Sequence, residues 1–328
     1  MKTSRILLFP GQGSQYVGMC KDLLKYSTKT RYILEESEEI LGRSISDIMF
    51  NGPSNTISLT TNSQPLVFIH SWIILQILKE HDIHLEKSSS ICIGHSLGEY
   101  TSLCASNLLS FSDCLSLIKQ RSECMSKCTE GVMYSLYLCN QDVVHQCIKE
   151  LDVEERVWVA CVNGSRSVVV AGYEYEIERV IDGLKQKGKR INSKRLNTSG
   201  PFHTPLMRDA TMAFRDCKEL IEKSINVDSE SSLKYCSSIS GKIEDANDKE
   251  MVCKLLLDQI ESPVQWYQAL CTSMDYIRDH NNSDNIEFIE IGPGSQLTSM
   301  LRGFQCTSQS IDTVSDIESF LKQEVPNS

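Results

Sequence analysis

A serine stands between two glycines in Ile91-Cys-Ile-Gly-His-Ser-Leu-Gly-Glu-Tyr100, directly after a short apolar run. Residues 88–93 can form a buried strand, and the stretch from Leu97 onward has the composition of a helix. Gly94 and Gly98 leave room for a tight strand-to-helix turn that holds the Ser96 hydroxyl clear of the backbone, with helix-start amides facing a developing oxyanion. Such a turn suits acyl transfer with Ser96 as nucleophile, although the bare Gly-x-Ser-x-Gly spacing also arises by chance in long chains. A serine needs a base. His203 sits in Ser199-Gly-Pro-Phe-His-Thr-Pro205, a loop stiffened by two prolines, whereas the other histidines lie in helical patterns, in polar surface stretches or beside the serine itself. An imidazole can take the serine proton and return it to a leaving group. No Asp or Glu identifies itself as a third member.

Arg121 is the third group of interest. Ser110-Phe-Ser-Asp113 reads as a capping box opening a helix whose apolar stripe is Cys114, Leu117, Ile118 and Met125, and Arg121 falls on that stripe. A guanidinium turned inward needs an anion, because an unpaired buried charge is very costly. An Asp or Glu elsewhere in the chain would serve, and so would the carboxylate of a substrate.

The elements that must position these groups read as α/β. Ile6-Leu-Leu-Phe9 is a continuous apolar run of the kind found in a parallel sheet covered on both faces, ended by Pro10-Gly-Gln-Gly13. Thr60-Thr-Asn-Ser-Gln64-Pro65 reads as the cap of a buried helix over 65–78. Past Gly131 the spacing changes: strands are expected over 132–138, 157–162 and 168–171, with helices over 141–151 and 175–185. This alternation implies a ferredoxin-like subdomain over 131–197, inserted into a larger α/β domain made of 1–130 and 198–306. A peripheral helix and tail are expected over 307–328, ending in Pro326-Asn-Ser328.

Bulk properties narrow the function. The 328 residues carry a net charge of −10 and are 41% hydrophobic and 23% charged, which suits a soluble globular protein and argues against general nucleic-acid binding. Fourteen cysteines are scattered singly with no metal-ligand spacing, so free thiols in a reducing cytoplasm are expected. Neither a signal peptide nor a membrane span is legible, and no metal site is predicted.

The blocks Phe9-Pro-Gly-Gln-Gly-Ser-Gln15, Gly94-His-Ser-Leu-Gly-Glu-Tyr100, Gly200-Pro-Phe-His203, Pro263-Val-Gln-Trp266 and Ile291-Gly-Pro-Gly294 together resemble the malonyl-CoA:acyl-carrier-protein transacylase family, in that family's order. The resemblance implies a hydrolase-like parallel-sheet domain with a ferredoxin-like insert, the active site lying in the cleft between them. It implies that Arg121, 25 residues after the serine, grips the free carboxylate of malonyl, which a planar guanidinium suits better than lysine would. It places Gln64 beside the active site, assigns the backbone N–H groups of Gln12 and Leu97 to an oxyanion hole, and holds the imidazole by the carbonyl of Gln265. The loop carrying Gln12 would otherwise be a simple βα turn. Met125 shares Arg121's helix and joins the expected substrate-binding set. Phe202 matches the Phe-His pair of malonyl-selective members, where a ring crowds a C2 methyl. The chain departs from the family at Asn163-Gly-Ser-Arg-Ser167, where Ser167 replaces the usual glutamine.

The expected reaction carries malonyl from coenzyme A through a Ser96 acyl-enzyme to the phosphopantetheine thiol of an acyl carrier protein, without a permanently bound cofactor. Six positive charges within 185–195 interrupt an acidic chain. Lys189, Arg190, Lys194 and Arg195 are therefore candidates for docking the carrier or the coenzyme phosphates, against the plainer reading of a solvated surface run. The protein is expected to work as a cytoplasmic monomer, in fatty-acid or polyketide synthesis. An acyl hydrolase of the same fold and a silent docking subunit of a synthase are the alternatives.

Overall fold

A computed structural model describes residues 4–226, 233–245, 247–281, 285–302, 304 and 306–324; the Pro326–Ser328 tail lies outside them. Nine strands occur among these residues: β1 Ser4–Phe9, β2 Ile91–Gly94, β3 Val132–Tyr137, β4 Val157–Gly164, β5 Ser167–Gly172, β6 Asn192–Arg195, β7 Lys234–Cys236, β8 Ile286–Ile291 and β9 Thr307–Ile311. They form two sheets. The larger is fully parallel in the order β7-β2-β1-β8-β9. Central strand β1 pairs with β2 on one side and β8 on the other, and Ile6, Leu7, Leu8 and Phe9 are all fully buried, as a strand covered on both faces requires. The fold is α/β and hydrolase-like, with a small subdomain inserted.

The insert is the smaller sheet, antiparallel in the order β4-β5-β3-β6, with helices Gln141–Glu150 and Glu174–Gln186. This is the ferredoxin-like arrangement, and it has a hydrophobic core of its own that includes Leu136, Val144, Val168, Ile177 and Leu184. Its edge strand β6 is exposed at every residue. Sequence reading saw there only a run of charge, because a polar strand exposed on both faces has no alternation to betray it. The small sheet is tied to the larger domain at Val264, in the loop before the helix Trp266–Asn281: the Val264 N–H donates to the Ala160 carbonyl (2.9 Å) and the Val264 carbonyl accepts from the Val162 N–H (2.8 Å).

Two expectations are corrected. The buried helix starts at Thr60 and runs to Glu80, so Pro65 lies inside it rather than ending a cap. Proline has no N–H for the Thr61 carbonyl four residues back, and the Arg43 guanidinium donates to that oxygen instead, at 2.6 Å. The C-terminal segment is also less peripheral than expected. Residues 307–311 are β9, in register with β8, and the following helix Val314–Glu324 buries Ile317 and Phe320 completely.

Asp312, just after β9, fastens this segment to the N-terminal half. His70, fully buried in the helix Thr60–Glu80, stands between Asp312 (Nε2 to Oδ1, 2.9 Å) and the Cys20 sulfur (Nδ1, 3.1 Å). Tyr16 donates to the same Asp312 oxygen at 3.0 Å and Gly294 N–H to the other at 2.9 Å. Burial alone would lower the imidazole's pKa, but Cys20 and Asp312 outweigh it and raise it to about 10. A raised pKa contributes stability that is fully present below the unfolded imidazole's value near 6.5 and is lost as pH rises through about 10. His70→Ala should therefore destabilise the protein more at pH 6 than at pH 10. Urea unfolding of both proteins at the two pH values should show the difference shrinking by about 1 kcal/mol or more; an equal or growing difference contradicts it.

Candidate active site

Ser96 occupies the turn between β2 and the helix Gly98–Ala105, with a left-handed backbone (φ 52°). The turn is possible because of what flanks it. A Cβ on Gly94 would lie 1.9 Å from the Gly98 carbonyl carbon, and one on Gly98 would lie 2.0 Å from the Phe9 carbonyl oxygen. Bare backbone thus packs on bare backbone, which seats the serine at the carboxyl end of the parallel sheet.

The base comes from the opposite wall. Ser96 Oγ and His203 Nε2 are 2.7 Å apart, and His203 is buried with its backbone also left-handed (φ 64°). Its Nδ1 faces two backbone carbonyls, Gln259 at 2.9 Å and Ser262 at 3.1 Å. Both are acceptors, so the Nδ1 proton stays there and Nε2 offers its lone pair to the serine. The expected holder, Gln265, does not do this. Its carbonyl accepts the Ala269 N–H, which opens the helix Trp266–Asn281, and its own N–H goes to Ser238. Gln259 instead caps the helix Lys249–Asp258, where the last carbonyls have no helical partner. Burial first, and then the nearby Arg121 charge, lower the His203 pKa to about 3, so the ring is neutral and able to accept a proton across the physiological range.

Arg121 is 1% exposed, and no acidic side chain pairs with it among the described residues. One amino group donates to the Gln64 side-chain oxygen at 2.5 Å, the other lies 3.3 Å from Ser96 Oγ, and Nε has no partner at all. The Tyr100 ring lies under the guanidinium, 5.7 Å from its carbon. Of the two fates left open by the sequence, the internal ion pair is absent among the described residues. Gln64 is itself fixed: its amide donates to Thr60 Oγ1 at 2.8 Å and approaches the Met125 sulfur at 3.5 Å, while Thr60 donates to the Gln12 side chain at 2.9 Å.

Ser96, His203, Arg121, Gln12 and Met125 open on one cleft of about 1200 Å³, lined also by Leu97, Phe202, Met133 and Ser135, whereas Gln64 is buried behind Arg121 and does not line it. Lys194 and Arg195 from β6 line its rim, whereas Lys189 and Arg190 are exposed but outside the lining. Arg195 is partly neutralised by Glu174 at 2.8 Å. Two further rim cations, Arg166 and Arg302, were invisible in the sequence because each stands alone in its segment. His95, beside the nucleophile, bonds Asn163 at 2.9 Å and leans on Trp266, so the Pro263-Val-Gln-Trp block supports the cleft wall rather than the imidazole.

The low His203 pKa has a consequence for pH. An uncharged sulfonyl fluoride that labels Ser96 needs the neutral ring, so its rate should stay flat well below pH 6 and fall only at the acid extreme. Arg121→Ala removes a neighbouring cation and should move that fall to higher pH. A wild-type fall centred near 6.5, or no displacement in the variant, contradicts the electrostatics.

An acyl transferase domain model matches residues 6–320. The malonyl CoA-acyl carrier protein transacylase of Staphylococcus aureus (strain MW2) is 30% identical over 330 residues, spanning 95% of this chain and 96% of the relative. The enzyme of the same name from Bacillus subtilis (strain 168) is 28% identical over 300 residues, spanning 90% and 88%. The crystal structure of acyl-carrier-protein-S-malonyltransferase from Bartonella henselae superposes with a TM-score of 0.86 at 28% identity, over 98% of this chain and 99% of that one. With its serine, imidazole and guanidinium meeting in one cleft, the chain belongs to the acyl transferase domain family, that of the malonyl-CoA:acyl-carrier-protein transacylases.

Proposed function

We propose that this protein is an [acyl-carrier-protein] S-malonyltransferase that works by a ping-pong mechanism. Ser96 Oγ attacks the thioester carbon of malonyl-CoA while His203 Nε2 takes its proton. The tetrahedral oxyanion is held by the N–H groups of Gln12 and Leu97, and loss of one such donor typically costs roughly a hundredfold in rate. Collapse breaks the C–S bond, and His203 returns the proton to the departing coenzyme A thiolate. The phosphopantetheine thiol of an acyl carrier protein then reverses the steps, taking malonyl and restoring the serine. No resident cofactor enters the scheme.

The observation that carries this reading is Arg121: a buried guanidinium beside the nucleophile, with Nε unsatisfied and no acidic partner among the described residues. A substrate carboxylate supplies the missing anion, and the hold of Gln64 on Arg121 presets the fork. Phe202 and Met125 wall the acyl pocket with apolar surface next to it. Lys194 and Arg195 at the rim, with Lys189 and Arg190 exposed just before them in the chain, give this face a positive field in an otherwise acidic protein. That field suits an acidic carrier or the coenzyme phosphates, and Arg166 and Arg302 extend it.

Intact-mass analysis after malonyl-CoA treatment should show a malonyl adduct on the wild type and none on Ser96→Ala; an adduct persisting on the variant refutes the nucleophile. Arg121→Ala should lower malonyl transfer about a hundredfold while acetyl transfer rises relative to it, and an unchanged malonyl-to-acetyl preference removes the clamp. The double variant Lys189→Glu/Lys194→Glu should raise KM for the carrier with kcat little changed, an effect that added salt diminishes. Equal KM values at low salt would dismiss this docking face.

A further inference from the structure

Glu99 follows the nucleophile turn by three residues and is 1% exposed, yet no cation pairs with it among the described residues. Four uncharged donors converge on its carboxylate instead. Tyr235 Oη and Ser237 Oγ (2.6 Å) donate to one oxygen, Ser238 Oγ (2.7 Å) and Gln259 Nε2 (3.2 Å) to the other. Three of these are hydroxyls that merely tie β7 and the two residues after it to the helix Gly98–Ala105. The fourth is different.

The Gln259 amide nitrogen also donates to the Ser96 carbonyl at 3.0 Å, while the same residue's backbone carbonyl accepts His203 Nδ1 at 2.9 Å. Among the described residues Gln259 is therefore the one that hydrogen-bonds to both members of the nucleophile–base pair, and its side chain is completely buried. Its amide oxygen has no partner, so only two acceptors, Glu99 and the Ser96 carbonyl, fix the orientation of the group. Hydroxyls can turn from donor to acceptor; an amide NH2 cannot, and flipping it would set its oxygen against the Ser96 carbonyl oxygen. Ser96 and His203 both hold left-handed backbones, which persist in non-glycine residues only where their surroundings over-determine them.

We infer that Glu99 is a positioning residue: acting through the Gln259 amide, it holds the Ser96 turn and the His203 ring at proton-transfer distance. The inference rests on the reading of Ser96 and His203 as nucleophile and base. It is tested with a small alkyl fluorophosphonate, which needs an activated serine but carries no malonyl group.

Glu99→Ala and Gln259→Leu should each lower the maximal labelling rate of Ser96 about tenfold while the probe's half-saturation concentration stays unchanged, a split that general loosening of the cleft would not give. Because both act on one chain of contacts, Glu99→Ala/Gln259→Leu should be no slower than the slower single variant. Glu99→Gln, which can still accept from Gln259 while its amide donates to Tyr235 or Ser237, should recover to within about threefold of wild type. Wild-type labelling rates in Gln259→Leu overturn the inference even if Glu99→Ala fails to fold, and so do losses that multiply in the double variant. If the wild type itself does not label, the nucleophile–base pair fails, and the role of Glu99 falls with it.

Discussion

A positive charge with no salt-bridge partner among the described residues, buried next to a serine hydroxyl, is the constraint around which this molecule is arranged. Placing a guanidinium in an apolar wall without an anion is expensive, and the neighbours of Arg121 only partly offset it. Gln64 supplies an oxygen, Tyr100 a ring face and Ser96 a weak third contact. The partners are themselves held in sequence, Gln64 by Thr60 and Thr60 against Gln12, so the charge is wired to the loop that carries a proposed oxyanion donor. The same charge works on the opposite wall, where it helps keep His203 unprotonated. In the proposed reaction one group thus selects the substrate and readies the base.

Geometry on this scale requires a stiff frame. The serine turn rests on contacts between backbones with no side chain between them, and those contacts exist only because β1 and β2 are adjacent and parallel. The histidine depends on the carbonyls of Gln259, which caps the helix Lys249–Asp258, and of Ser262 just beyond it, about 250 residues from the first strand; these two receive its ring proton. The insert meets this frame at Val264, a few residues beyond those carbonyls, so the wall that carries the base is also where the small sheet joins the larger domain.

Much of this was legible in the sequence. The glycine-flanked serine, the proline-flanked histidine and the arginine on an apolar stripe each advertise themselves by side-chain type and spacing, and the structure brings all three together. What escaped was carried by backbone. The holder of the imidazole is a carbonyl, which every residue possesses, so a motif could point to Gln265 when helix termination selects Gln259 and Ser262. Strands β6 and β9, Asn-Ser-Lys-Arg and Thr-Ser-Gln-Ser-Ile, are polar edge strands without hydrophobic alternation, and their pairing is decided by neighbours far away in the chain. The hub at Glu99 was equally hidden, since three of its partners are ordinary hydroxyl residues beyond position 234.

The order in which strands find one another has a consequence for biogenesis. The insert draws all of its sheet partners from one continuous stretch, whereas Arg5 on the central strand meets Glu287 across a separation of 282 residues. A nascent chain emerging from the ribosome can therefore complete the small unit while Ile6-Leu-Leu-Phe9 still waits with one flank open. Until β8 has been made, that flank is an apolar strand edge open to pairing with another chain.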